Sequence, residues 1–307
     1  MVNYNPKTWF NLIVHSYGKH VLKTLLPAMI FMAIMTFGIC YLIVDYLKLD
    51  LSKFPGTTTV HSLLGIVLGL FLVFRTNSAY DRWWEGRKIW GGLVNSTRNF
   101  ALKLNAYLPK TDDDNREWFA TMIPNFAFAM KEHLRKGVQY DELEKADDQL
   151  IPNLKKVKHK PNRISSLMYD RVNVLYKKEV IDGFQFSNLD KEQKDFLDQI
   201  GACERIKNTP IPYSYTMYIK KFIFIYILTL PFGFVILFKY FAIPAVVLIS
   251  YILLSVELIA EEIEDPFGTD ANDLPTDEIA TKIRENVKEI LYADRPKVYI
   301  EEEELIS

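Results

Sequence analysis

The stretch 61–108, HSLLGIVLGLFLVFRTNSAYDRWWEGRKIWGGLVNSTRNFALKLNAYL, constrains everything around it. It opens on a charge-free run from Leu63 to Phe74, then turns polar at Arg75 with no proline to stop a helix. This predicts one long helix that leaves a membrane and continues into water. Ile66, Leu70 and Phe74 recur every fourth residue and form one apolar stripe along a helix face. Gly65 and Gly69, one residue back, give an adjacent face that a second helix can approach closely. Such a helix suits a ring around a pore, and it equally suits a transmembrane helix whose stripe is packed against neighbours. The charge-free run is short beside the roughly 20 residues of a full span, which favours a helix enclosed by protein or lining a watery path.

Across 307 residues, 49% hydrophobic and 24% charged, the balance implies a membrane part and a water-exposed part of comparable size. A net charge of −1 argues against a nucleic-acid partner, because phosphate binding needs a basic surface. Cys40 lies in an apolar run and Cys203 in a polar helical one, so they are not read as a disulfide, and no Cys/His cluster has zinc spacing. His15, His20, His61, His133 and His159 are scattered and read as surface or packing residues. No sequence feature points to an enzyme: Gly91-Gly92 lacks the Lys-Ser/Thr of a phosphate loop, and neither G-x-S-x-G nor H-E-x-x-H occurs.

Read in order, residues 1–24 form a polar cytosolic segment without a signal-peptide pattern. Leu25 to Leu47 is long enough to span, and Lys19 and Lys23 before it place the N-terminus in the cytoplasm. An outer loop with Pro55 and Gly56 leads to the second helix, so residues 25–108 hold the first two spans. Arg75, Arg82, Arg87 and Lys88 put the far end of that helix inside. Trp83 and Trp84 read as interface anchors. Residues 109–209 read as a cytosolic helical domain with helices over Glu117–Arg135, Arg163–Glu179 and Leu189–Ile206, the last opened by a Ser187/Asp190 capping box. Between the first two, Gly137 to Asn162 reads as an irregular surface excursion. Residues 210–265 carry the third and fourth spans, Phe222–Phe238 and Ala245–Leu258, with Pro231 expected to kink the third. Residues 266–307 are an acidic loop, a helix over Asp277–Tyr292 and an acidic tail at Glu301–Glu304. Glu257, Glu261, Glu262, Glu264 and Asp265 crowd a helix C-terminus, which disfavours negative charge. A positive partner is expected there: a cation, or Arg and Lys from the soluble domain or a neighbouring subunit.

This is the outline of an all-α membrane protein with both termini inside. An apolar constriction gates by excluding water, so rings of Ile66, Leu70 and Phe74 make a channel physically sensible. Inward phenyl edges favour anions and exposed faces favour cations, so selectivity stays open on these grounds. A transporter usually carries ionisable or helix-breaking residues at mid-membrane. The second span has none, although Pro231 sits in the third.

The segments LLGIVLGLFLVFRTNSAYDRWWEGRKIWGGLVNSTRNFA, GACERIKNTPIPYSYT and IAEEIEDPFGTDANDLPTD resemble the bestrophins, specifically their bacterial branch. The resemblance covers nearly the whole chain and is weakest from Gly137 to Asn162. It implies a homopentameric ion channel in the bacterial inner membrane, with four membrane helices per subunit around one pore and no cofactor required. The family's hydrophobic neck falls on Ile66, Leu70 and Phe74. Animal members carry Phe where this chain has Leu70 and conduct chloride, whereas bacterial relatives with aliphatic residues there can pass cations. Chloride and sodium conduction are therefore both implied, with a non-conducting membrane scaffold and a secondary transporter as readings of other classes. The family's calcium clasp falls on the side chains of Asp270 and Asp273 and the carbonyls of Glu262 and Asp265, oxygen ligation that suits calcium. Those aspartates equally suit a helix cap or basic partners. A cytosolic exit constriction in the family falls nearest Phe184, with Phe186 next.

Overall fold

A computed structural model describes residues 17–48, 57–135 and 137–292, and among them the secondary structure is entirely helical. The polar N-terminal segment up to residue 16, the outer loop with Pro55 and Gly56, and the acidic tail lie outside the described residues. Three stretches are long and apolar enough to cross a membrane: His20–Tyr46, Thr59–Tyr107 and Tyr213–Glu264. The chain divides into two compact units, Met1–Gly86 with Ile206–Leu274, and Arg87–Arg205 with Pro275–Ser307.

In the first unit, helix α1 (Tyr17–Cys40) winds into a wider π-helical turn over Tyr41–Tyr46. It begins eight residues before the expected Leu25. Helix α2 (Thr57–Tyr107) is unbroken over 51 residues, as the missing proline requires. The third apolar stretch is two helices, α7 (Tyr213–Phe238) and α8 (Ala242–Glu264), joined by a tight turn at Lys239–Phe241. Lys239 reverses the chain with a positive φ of 48°. Helix α7 runs through Pro231. Helices α1, α7 and α8 pack on one another, and one apolar core joins Met32 of α1, Leu68 and Leu72 of α2, Ile219, Ile223, Ile227 and Leu230 of α7, and Val246 of α8. Thr36 and Thr229 return their hydroxyls to their own backbone, to the Met32 carbonyl at 2.7 Å and that of Ile225 at 2.9 Å, whereas Ser250 and Ser255 of α8 keep buried hydroxyls without a hydrogen-bond partner. A Cβ on Gly65 would meet the Tyr226 hydroxyl at 2.8 Å, whereas one on Gly69 would meet nothing, so α7 closes on only one of the two expected small-residue positions.

Arg75 is the fully buried cation of this unit. Its Nη2 lies 2.7 Å from Glu264 Oε2 and its Nε 3.5 Å from Glu257 Oε1, both from the end of α8. Arg82, two turns on, donates from Nε to the Glu264 carbonyl at 3.0 Å and from its other nitrogens to the Thr209 and Ile206 carbonyls. Lys220 of α7 reaches Glu261 at 2.9 Å. Among the described residues, α2 and α7 of the same chain thus bring positive partners to the acidic helix end. An arginine at the edge of an apolar run had read only as a sidedness signal.

The second unit holds α3 (Asp113–His133), a 3₁₀ turn (Tyr140–Glu142), α4 (Leu150–Lys155), α5 (Lys160–Lys177), α6 (Gly183–Asn208, whose last turn belongs to the first unit) and α9 (Thr276–Tyr292). Trp90, Leu93, Phe100 and Leu104 of α2 are buried here, and Phe100 meets Phe119 and Phe196 edge-on at 5.9 and 5.6 Å. Helix α6 starts at Gly183, so Ser187 and Asp190 lie inside it. The capping box is one turn earlier, where Asp182 accepts from the Gln185 amide at 2.8 Å and Gln185 accepts from the Asp182 amide at 3.0 Å. Residues 137–162 are not a mere excursion: Leu143, Leu150 and Leu154 are buried, and Asn125 fastens the segment through the Glu144 backbone.

Lys131 is buried among three carboxylates, Glu132 at 3.2 Å and Glu142 and Asp277 at 2.7 Å, and Arg135 holds Asp277 at 2.6 Å. Hydrogen bonds from Arg135 above all, then Lys131, overcome desolvation and keep the Asp277 carboxyl well below the usual carboxylate range. The unfolded chain therefore takes up this proton at a higher pH than the folded one, and the contribution is complete above about pH 4 and fades as pH falls. Chemical denaturation should show Asp277→Asn costing stability at neutral pH and flattening the acid-side loss; an unchanged acid profile would refute the assignment. Replacing Arg75 by Met should lower stability by about 3–5 kcal/mol by stranding Glu257 and Glu264, with partial recovery when Glu257→Gln is added, read from thermal unfolding in detergent.

Candidate pore lining and acidic loop

Helix α2 carries two opposite faces through the first unit. Leu68, Leu72, Arg75 and Ala79 are buried against the other helices. Ile66, Leu70 and Phe74 point away, 72%, 56% and 52% exposed, so the stripe is not used in packing this chain on itself. Above and below it along the same face, Ser62, Asn77 and Asp81 are also exposed. The face thus reads polar, apolar, polar along the axis. Lipid contact would extend the apolar section; a watery path with one dry constriction produces this order. Trp83 and Trp84 stack at 6.4 Å, but only Trp84 is exposed. Trp83 donates its indole N–H to the Asn272 carbonyl at 2.9 Å and so ties α2 to the acidic loop. The expected interface anchor is, for Trp83, a loop clamp.

The loop after α8 is built around Asp273, which is buried. Its Oδ2 accepts the Asp270 amide at 2.6 Å, while its Oδ1 is buried without a hydrogen-bond partner. A Cβ on Gly268 would lie 2.6 Å from Asp273 Oδ2, so only glycine leaves room for that carboxylate. Burial chiefly, and then the negative charges of Asp270, Asp265 and Glu262, push the Asp273 carboxyl up to about 6 against the opposing Asp270 amide. Asp270 and Asp265 are exposed, and Glu262 accepts from the Asn272 side chain at 2.8 Å. An orphaned carboxylate oxygen in a glycine-walled cradle, with acidic neighbours, fits a hard cation.

Phe184, at the start of α6, is 86% exposed, whereas Phe186 packs on Tyr176 at 5.3 Å. Two further groups of side chains have ligand-like spacing. Glu132, Glu142 and Asp277 converge, but the Lys131 ammonium already fills their centre. His133, His159 and Glu204, far apart in sequence and read there as unrelated, come within 4.8 Å of one another by their ligand atoms. No spacing rule could have found them, because three separate elements supply them: the end of α3, the cap before α5 and α6.

Residues 1–289 match the family of bacterial and fungal bestrophin proteins. Over 288 residues the chain is 33% identical to a voltage-dependent anion channel-forming protein of Nostoc sp., covering 92% of each. A voltage-dependent anion channel-forming protein of Salmonella typhi is 31% identical over 276 residues, 90% of this chain and 89% of the other. Among solved structures, a bacterial bestrophin homologue from Klebsiella pneumoniae superposes with a TM-score of 0.79 at 27% identity, over 88% of this chain and 99% of that one. The curated relatives carry the name of channel-forming proteins, and the family match together with the long apolar helices above makes this a membrane protein. This chain belongs to the bestrophin family, in its bacterial and fungal branch.

Proposed function

We propose that the protein is a homopentameric channel that passes small monovalent ions through a neck of Ile66, Leu70 and Phe74. The observation that carries this is the outward apolar stripe between polar neighbours on α2, which the described residues leave more than half exposed. Five copies of that face around an axis make three stacked apolar rings, a barrier that closes by shedding water and conducts when it widens. Helices α1, α2, α7 and α8 serve as four membrane spans, with the second unit and both termini on the cytoplasmic side of the bacterial inner membrane. Residues 109–209 and 266–307 then form the cytosolic part, where Phe184 lines the exit constriction. The anion channel-forming names of the relatives favour chloride. Leu70 sustains a second reading, sodium conduction, because an aliphatic middle ring lacks the aromatic quadrupole and leaves Phe74 alone to discriminate between anions and cations.

Under a NaCl gradient in a planar bilayer, the reversal potential should lie near the chloride potential; a value near the sodium potential establishes the cation reading. Replacing Ile66, Leu70 and Phe74 together by Ala should raise the current and relax selectivity. Absence of current from wild type under all ionic conditions would leave a membrane-anchored scaffold, and substrate-coupled counterflow would indicate a transporter.

Calcium is the cation proposed for the acidic loop, held by the Asp273 and Asp270 side chains and the Glu262 and Asp265 carbonyls. Bound there, it neutralises the cluster behind the end of α8, and Asp273 Oδ1 gains its missing partner. Protons compete for the same oxygen, so affinity should fall as pH drops below about 6. The fluorescence of Trp83, bonded to the same loop, should report calcium titration in wild type and not in Asp273→Asn; no response up to about 1 mM would refute the site.

A further inference from the structure

We infer that His133, His159 and Glu204 form a binding site for a first-row transition metal dication, zinc foremost. The three come from separate elements of the second unit: the last residue of α3, the cap before α5, and the body of α6. His133 Nε2 and His159 Nε2 both lie on one oxygen, Glu204 Oε1, at 2.7 and 2.9 Å, and the two rings sit 4.4 Å apart. Two imidazoles and one carboxylate are the donor set of an open zinc site, and they select against calcium and magnesium, which take oxygen alone. With metal–ligand bonds of about 2.0–2.1 Å, tetrahedral neighbours stand roughly 3.3 Å apart, so each present contact has to open by only about half an ångström. The side chains are 26%, 30% and 29% exposed for His133, Glu204 and His159, enough for an ion to enter without unfolding. A cavity of about 480 Å³, lined by Asn162, Ser165, Tyr169, Asp170 and Gly201, adjoins the site at Glu204. His133 also stands at the C-terminal end of α3, where the helix dipole favours a cation.

One bond opposes the site. His159 Nδ1 accepts the Asn162 amide at 3.1 Å and caps α5, so its proton sits on Nε2, the nitrogen a metal needs. Metal at Nε2 moves the proton to Nδ1 and ends the cap. A lost cap is about a fivefold factor in the local helix equilibrium, small beside the many orders of magnitude with which such donor sets hold zinc. The conflict also marks the site: loading it should loosen the first turn of α5.

Full-length protein in detergent, stripped with chelator and dialysed against micromolar ZnCl₂, should retain one zinc per chain by elemental analysis. His159→Asn keeps a capping side chain, and Glu204→Gln keeps an acceptor for both rings, so both variants should fold with wild-type melting yet bind zinc at least roughly 100-fold more weakly. In zinc-loaded wild type, hydrogen exchange at the Asn162 amide should quicken. Failure of wild type to retain zinc, or wild-type affinity in both variants, would overturn the site. So would zinc binding with Asn162 protection unchanged, because the ion would then sit elsewhere. None of these readouts depends on ion conduction.

Discussion

A guanidinium buried at the end of an apolar helix bundle has to be neutralised, and the first unit is arranged around that need. Arg75 sits on the inward face of α2, and carboxylates brought by α8, Glu257 and Glu264, balance it. The pairing fixes the rotation of α2. With Arg75, Leu68 and Leu72 turned in, geometry at 100° per residue turns Ile66, Leu70 and Phe74 out. The candidate pore lining is therefore a consequence of where one charge must go. Arg82 extends the arrangement by donating to carbonyls at the end of α8, in the last turn of α6 and just after it, groups that a helix end leaves without intrahelical partners.

The acidic loop follows from the same end of α8. Negative charge at a helix C-terminus is unfavourable, and this chain places five acidic residues there. Arg75 and Lys220 take three of the glutamates. Glu262 is held by Asn272, and the remaining charge concentrates on Asp265, Asp270 and the buried Asp273. The loop thus gathers several carboxylates around the buried Asp273, which is the electrostatic setting a bound dication would relieve.

In the second unit the same logic works without a ligand. Burial alone would lower the Lys131 pKa, yet hydrogen bonds to Asp277, Glu142 and Glu132 outweigh it and raise it above the ordinary lysine value. The network joins α3, the turn at Tyr140–Glu142 and the first turn of α9. Segment 137–162 is ordered because its carboxylates and leucines are both in use.

The chain's periodicity and charge pattern by themselves determined its class, its long second helix, the reversal before α8 and the stripe of Ile66, Leu70 and Phe74, because these rest on local rules: a run of apolar residues, an absent proline, a four-residue repeat. Helix starts shifted by several residues, since caps such as Asp182 with Gln185 compete with plausible ones such as Ser187. What only the tertiary structure decided were pairings between distant residues. Arg75 finds Glu257 and Glu264, Trp83 finds Asn272, and His133 finds His159 and Glu204 across three separate elements. Sequence separation carries no information about such contacts; they exist because packing sets the azimuth of each helix, and a buried charge or a polar ring then takes the partner that this azimuth presents.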